Sequence, residues 1–283
     1  MILPLYNHCL HEKNELVRRP CPGNTGLWYN KFFYNWNESD WSIEKGGKSK
    51  WIDKAVWNEE QNRRRKVGNP KLLYEHTDRV QQLVKCLGGQ VRVYVTKWRL
   101  AVGLGLSHPI ENGFGWHHTL GVPYLPGSTV KGIVKSWAEE WAENHSSENI
   151  VRIFGSKSET DENNKNSADE NKIGSVIFFD ALPLQPVQLA ADVMTPHYQP
   201  YYAGTDKLPG DWYNPNPIPF LTVGEEQSFM FAVAPRRKED ASDVDLVLDW
   251  LASALTVIGV GAKTAVGYGR FIQQHDHKLG EML

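Results

Sequence analysis

The spacing of apolar and polar residues divides the chain into short stretches of two periods. Residues 90–100 alternate polar and apolar positions with β-branched and aromatic enrichment, which predicts a half-buried strand. Just before them Leu72, Leu73, His76, Val80, Leu83, Val84 and Leu87 recur at helical spacing, predicting a helix over 71–87 that Gly88 and Gly89 stop. A second helical stripe runs through Val130, Ile133, Val134, Trp137, Ala138 and Trp141, with Ser128 or Thr129 available to cap its start. Further strands are predicted over 175–181, 187–194 and 227–234. A last helix, with a start at Ser242 resembling a capping box, carries Val244, Leu248, Leu251, Leu255 and Ile258 on one side, and a closing strand follows over 266–273. A helix is also expected from about 50 to 66. Residues 1–50, rich in Pro, Gly, Asn and aromatics, show no sustained period and read as an irregular, partly packed extension.

The order strand, helix, strand, strand, helix, strand, with insertions, predicts an α+β, ferredoxin-like fold of the kind also used by RNA-recognition modules. It implies a division into an N-terminal extension with helices, 1–89, and a core over 90–283. Residues 155–172 are too polar to bury and are expected to form a mobile insertion within that core.

Two glycine-rich segments interrupt the periodic pattern. Residues 121–132 read Gly-Val-Pro-Tyr-Leu-Pro-Gly-Ser-Thr-Val-Lys-Gly, and residues 259–270 read Gly-Val-Gly-Ala-Lys-Thr-Ala-Val-Gly-Tyr-Gly-Arg. Glycine permits positive φ and close main-chain approach, while the interleaved cations supply charge, so both segments suit a phosphate backbone. In the first, Ser128, Thr129, Lys131 and Lys135 stand at or near a helix start, where unsatisfied amides favour an anion. An ordinary capped helix with solvated lysines is the competing reading. In the second, Gly261, Lys263, Thr264, Gly267, Gly269 and Arg270 are the candidate contacts, against a hairpin that merely packs closely on a sheet. Ala262 separates Gly261 from Lys263, and a helix precedes the segment while a strand follows it, so it is not a nucleotide-binding P-loop.

With 283 residues, 41% of them hydrophobic, the chain can bury a full core. Its net charge of −2 hides local imbalance. Over 43–66 bases outnumber acids, and Lys48, Lys50 and Lys54 beside Trp51 and Trp57 form a mixture able to neutralise phosphates and stack bases; a solvated helix with two buried tryptophans fits equally. Over 139–170 acids dominate, and that face is expected to avoid nucleic acid; within it the stretch 159–170 is expected to be dispensable for holding it. Cys9, Cys21 and Cys86 suggest no disulfide framework, and neither a signal peptide nor a membrane-spanning run is visible. The expectation is a soluble, cytoplasmic protein without a membrane partner.

Catalytic signatures are weak. His8, Cys9, His11 and Cys21 match no common zinc spacing, and the adjacent His117 and His118 point to opposite faces of an extended backbone. Asp180 and Asp192 are possible carboxylate ligands, though strand-end acids usually serve turns. The residues call for no metal, no cofactor and no catalytic group, and His117 is retained as an RNA contact.

Taken in order, the two glycine-rich segments and the blocks at 103–114, 154–156, 176–183 and 192–198 resemble the RAMP superfamily of CRISPR proteins, and within it the family of sixth subunits of the type III-B Cmr module. The resemblance spans most of 100–271. It implies a non-catalytic subunit at the 3′ end of the CRISPR RNA, touching the guide backbone, neighbouring RAMP subunits and the small helical subunit, with target RNA reached indirectly. Lys135 stands where related sequences often carry Arg, which keeps the charge and loses a bidentate contact. A CRISPR-RNA-processing endoribonuclease acting through His117 or His118, and a protein-only assembly cap, remain the alternatives.

Overall fold

The structure is a computed structural model and describes residues 23–37, 39–58, 62–142, 146–156, 173–204, 208–210 and 212–274. The acidic insertion from 157 to 172 and the residues His8, Cys9, His11 and Cys21 lie outside them. Seven α-helices are described: α1 (Thr25–Lys31), α2 (Gly47–Val56), α3 (Pro70–Cys86), α4 (Gly127–Glu140), α5 (Ser147–Phe154), α6 (Gln199–Tyr202) and α7 (Ala241–Val257). The strands are β1 (Trp57–Asn58), β2 (Arg63–Arg64), β3 (Lys66–Val67), β4 (Gln90–Thr96), β5 (Ser107–His108), β6 (Glu111–Asn112), β7 (Val176–Phe178), β8 (Leu182–Pro183), β9 (Val187–Met194), β10 (Ile218–Val223), β11 (Ser228–Pro235) and β12 (Phe271–Gln273). No helix among the described residues is long and apolar enough to cross a membrane.

The main sheet runs β12-β4-β11-β7, antiparallel throughout, with β8 also on β11. With α4 between β4 and β7, and α7 between β11 and β12, this is the ferredoxin-like order the sequence pattern predicts. Alternation sorts its side chains: Tyr94, Phe229, Phe231 and Val233 join Val130, Val134, Leu248, Leu251 and Leu255 beneath α4 and α7. Val93 and Met230 point the other way, where Val80 of α3 packs on them. Helix α3 starts cleanly because Asn69 accepts from the amides of Lys71 and Leu72 and Pro70 occupies the first turn. It therefore covers the sheet face on which RNA-recognition modules stack bases.

Several elements differ from expectation. The helix expected over 50–66 is α2, which begins earlier and ends at Val56; the chain then folds back, with Arg65 Nε donating to the Trp57 carbonyl at 2.7 Å. The reversal lets Val67 enter a second sheet, β10-β9-β3, and Gly68 (φ 110°) turns the chain toward α3. The strand expected at 187–194 thus forms, as β9, but in this second sheet. Within the nominally irregular first 50 residues, α1 forms under an Asn24 cap and sends Trp28 and Tyr29 into the main core. Ser242 does not cap α7: a 3₁₀ turn over Lys238–Asp240 leads into that helix. Asp243 is instead buried, held by Arg152 Nη2 at 2.8 Å and by the Ser175 hydroxyl at 2.6 Å. The closing strand is confined to β12, because 264–266 form a 3₁₀ turn.

Candidate nucleic-acid interface

Phe271, which opens β12, pairs with Thr96, the last residue of β4, so the second glycine-rich segment sits at the C-terminal end of β4. Helix α4 begins against the end of β7, where a Cβ at Gly127 would meet the Phe178 carbonyl oxygen at 2.4 Å. Strands β4 and β7 are parallel, both antiparallel to β11, but Phe178 aligns through Val233 with Gln90, the first residue of β4, so the two segments lie six residues apart along the strands, about 20 Å, as well as three strand spacings, about 14 Å, across them.

The second segment is a tight main-chain knot. The Val260 amide donates to Gly269 O, the Gly269 amide to Arg99 O and the Ala262 amide to Ala101 O, each at 2.8 Å. Gly259, Gly261, Gly267 and Gly269 all have positive φ. Lys263 shares the left-handed conformation at φ 61° without being glycine, an uncommon backbone for a lysine, and its Nζ lies 5.5 Å over the Phe220 ring. Thr264 opens the 3₁₀ turn beside it. Arg270 is half-buried and its Nε is enclosed without a partner.

Behind the loop Asp192 accepts from Arg99 Nη1 and from the Tyr268 hydroxyl, joining the two sheets. Those bonds hold its carboxyl below the usual range against the cost of burial, and the same partnership, after burial itself, pushes Tyr268 up to about 12. Asp192 is thus a structural anchor, with its oxygens already engaged. Among the described residues no three His, Cys, Asp or Glu side chains are grouped to hold a metal ion.

At the first segment the expected cap is supplied from outside. Neither Ser128 nor Thr129 caps α4; Asp180 Oδ1 accepts from the Gly127 amide at 2.7 Å. A carboxylate already sits at the positive end of the helix, which disfavours a phosphate at that spot. Ser128 is exposed beside it. Further along α4, partial burial lowers the Lys131 pKa first, followed by repulsion from Lys135 and Arg236, so three cations gather on one flank. Lys135 also lies 3.8 Å from Glu139.

The basic stretch is dispersed. Lys48 pairs with Glu111 at 2.8 Å, Lys54 lies 4.8 Å over the Tyr34 ring, and Lys50 is exposed. Trp51 is fully buried and cannot stack on a base, whereas Trp57 is partly exposed. His117 is half-buried next to His76, and His118 is exposed.

Sequence reasoning missed four residues. Arg236 opens a run of three bases after a strand, a legible signal. Trp98, 39% exposed, leans on Tyr268 at 4.8 Å beside the second segment, and nothing but its basic neighbours marks it. Between β9 and β10, Tyr202 and Trp212 are about three-quarters exposed, at 74% and 76%, in a Pro- and Tyr-rich connection.

Residues 94–272 match the RAMP superfamily. Cmr6 of the CRISPR system of Pyrococcus furiosus is 31% identical over 253 residues, with 72% of each chain covered. The chain belongs to the Cmr6 family of the RAMP superfamily. Cmr6 of Saccharolobus solfataricus is 26% identical, with 70% of this chain and 63% of that protein covered. A chain in the cryo-EM structure of the type III-B Cmr-beta complex bound to cognate target RNA shares the fold at a TM-score of 0.62, with 21% identity, over 92% of this chain and 85% of that one. The superfamily match takes in both glycine-rich segments, His117 and Arg236. It leaves out His76 and Lys48, Lys50 and Lys54.

Proposed function

We propose that this Cmr6-family chain is a non-catalytic RNA-binding subunit of a type III-B Cmr effector complex in antiviral defence. It contacts the 3′ part of the CRISPR RNA, caps the backbone filament against other RAMP subunits and the small helical subunit, and meets target RNA only indirectly. Kinship with Cmr6 proteins and the shared fold of a Cmr-beta chain support the assembly. The observation that carries RNA binding is the crowding of Lys131, Lys135 and Arg236. Glu139 lies near Lys135, yet like charges drawn together in this way favour a polyanion that covers them.

Lys263 lies beyond the C-terminal end of β4 and the start of α4 lies level with the first residue of β4, so a single strand running from Lys263 past Ser128 to the three cations follows the sheet lengthwise and meets charge at both of its ends. The covered sheet face leaves the loops and the α4 flank as the polar route. Exposed Trp98 offers a stacking surface beside the first contact. Sequence reading is left to the guide.

The test replaces Lys131, Lys135 and Arg236 together by Ala in the assembled complex and measures guide affinity across a salt series. Affinity is expected to fall at least about tenfold at low salt, with a shallower dependence on salt. An unchanged affinity and slope would remove RNA from this flank.

A further inference from the structure

Four polar side chains from three segments meet beside the start of α4. His76 lies on α3, His117 and Tyr124 on the connection into α4, and Asp180 after β7. The His117 ring is 5.5 Å from that of His76 and 5.3 Å from that of Tyr124, edge to face in both cases. Asp180 is near enough to act electrostatically on all three, and it is fixed by the Gly127 amide. His76, His117 and Tyr124 are each partly open to solvent.

The proton of His117 has a defined place. Its Nδ1 accepts from the Leu120 amide at 3.3 Å, with the Thr119 hydroxyl at the same distance. An accepting Nδ1 puts the hydrogen of the neutral ring on Nε2, so the far edge of the imidazole is a donor. Partial burial favours the neutral form of both histidines. The set therefore offers, without positive charge, an N–H donor, a phenol and a carboxylate acceptor that also repels phosphate.

Such a set fits an uncharged group that both donates and accepts. A ribose hydroxyl is one, and its place on a strand is between successive phosphates. We propose that His76, His117, Tyr124 and Asp180 form a reader of the ribose 2′-hydroxyl, making the adjoining phosphate contacts selective for RNA over DNA. The inference rests on the RNA-binding reading above and adds to it the source of selectivity. His117 Nε2 donates to the hydroxyl oxygen, and Asp180 accepts its hydrogen through the carboxylate oxygen not engaged by Gly127. The adjoining phosphate falls to Lys131, one turn further along α4 and away from the Asp180 carboxylate.

The test compares single strands of one sequence carrying ribose, 2′-deoxyribose or 2′-O-methylribose, bound to the full-length protein and to its His117→Gln and Tyr124→Phe variants. Tyr124→Phe keeps the ring and its packing, so it reports even where His117→Gln folds poorly. The parent protein is expected to prefer ribose about tenfold over both other backbones, and each folded variant to lose most of that preference through weaker RNA binding, with DNA affinity unchanged. RNA binding that persists with the same preference in both variants would sink the 2′-hydroxyl reader and leave RNA binding intact. Failure of the parent protein to bind any of the three strands would instead overturn the RNA-binding reading, and this inference with it. Metal-independent cleavage of the RNA strand that disappears in His117→Gln would replace a reader with an acid–base pair.

Discussion

In the segment over 259–270, glycine is demanded by contact. A Cβ at Gly269 would stand 1.8 Å from the Val260 carbonyl oxygen, and one at Gly261 would stand 2.4 Å from that of Ala101. The segment over 121–132 makes similar demands at Gly121 and Gly127, yet its last glycine, Gly132, lies within α4 with open space around it. The two also differ in how they present charge. Around the first, cations sit along a regular helix whose N-terminus Asp180 already occupies, so any anion is met by side chains. Around the second, the loop spends its amides on itself and on β4's extension, and Lys263 is the cation that its left-handed backbone holds out over Phe220. Similar glycine content thus reflects packing in one place and, at Gly132, little at all.

The largest effect follows from that contrast. Gly269→Ala is expected to destabilise the protein by about 3 kcal/mol or more, since overpacking against a carbonyl adds to left-handed strain. Gly132→Ala should stabilise it by about 0.5–1 kcal/mol, the usual gain in a helix interior. Paired denaturant melts decide the matter, and equal, mild effects at both positions would erase the distinction. A smaller and more selective effect is expected at Lys263. In Lys263→Gly, relief of the left-handed backbone offsets loss of the ring contact, and stability should move by less than about 1 kcal/mol. RNA affinity should nevertheless fall. A loss of stability comparable to that of Gly269→Ala would make Lys263 part of the packing and take the binding role from it.

The fold was legible where burial on one side imposes a period. Alternation in β4 and the stripes of α4 and α7 are such cases, and with β7, β11 and β12 they place the ferredoxin-like order. What escaped depends on partners distant in sequence. Trp51 looks like a base-stacking residue among lysines, but it stacks on Trp28 at 4.2 Å in the core, a contact no local pattern encodes. The cap of α4 comes from Asp180, 53 residues away, so the local Ser128 and Thr129 misled. His76 carries one member of the helical stripe of α3, and only the fold brings it to His117. Strong local signals also competed with burial at 50–66, where hiding Val67 outweighed continuing the helix.

The smallest effect sets the histidine cluster beside the first segment against the second segment, which contains no histidine. Burial lowers the pKa of His117 first, followed by repulsion from His76 and His118, with Asp180 opposing; for His76 burial leads, then Arg79, again against Asp180. His108, behind them in the aromatic core, is lowered by burial against its bond to the Tyr29 carbonyl. A histidine whose folded pKa is depressed binds protons more readily in the unfolded chain, so stability rises with pH. That stabilisation is complete above the unfolded histidine value of about 6.5 and declines as pH falls toward the lowered folded values. Asp192 and Asp243, whose values are likewise lowered, add losses only in more acidic solution, near and below about pH 4. Melts between pH 7.5 and 5 should therefore show falling stability, and the slope should be shallower in His117→Gln, while Lys263→Gly should keep the parent slope. If His117→Gln and the parent decline in parallel, the imidazole of His117 is not held neutral by its surroundings, and the fixed Nε2 donor on which the 2′-hydroxyl reader depends is lost with it.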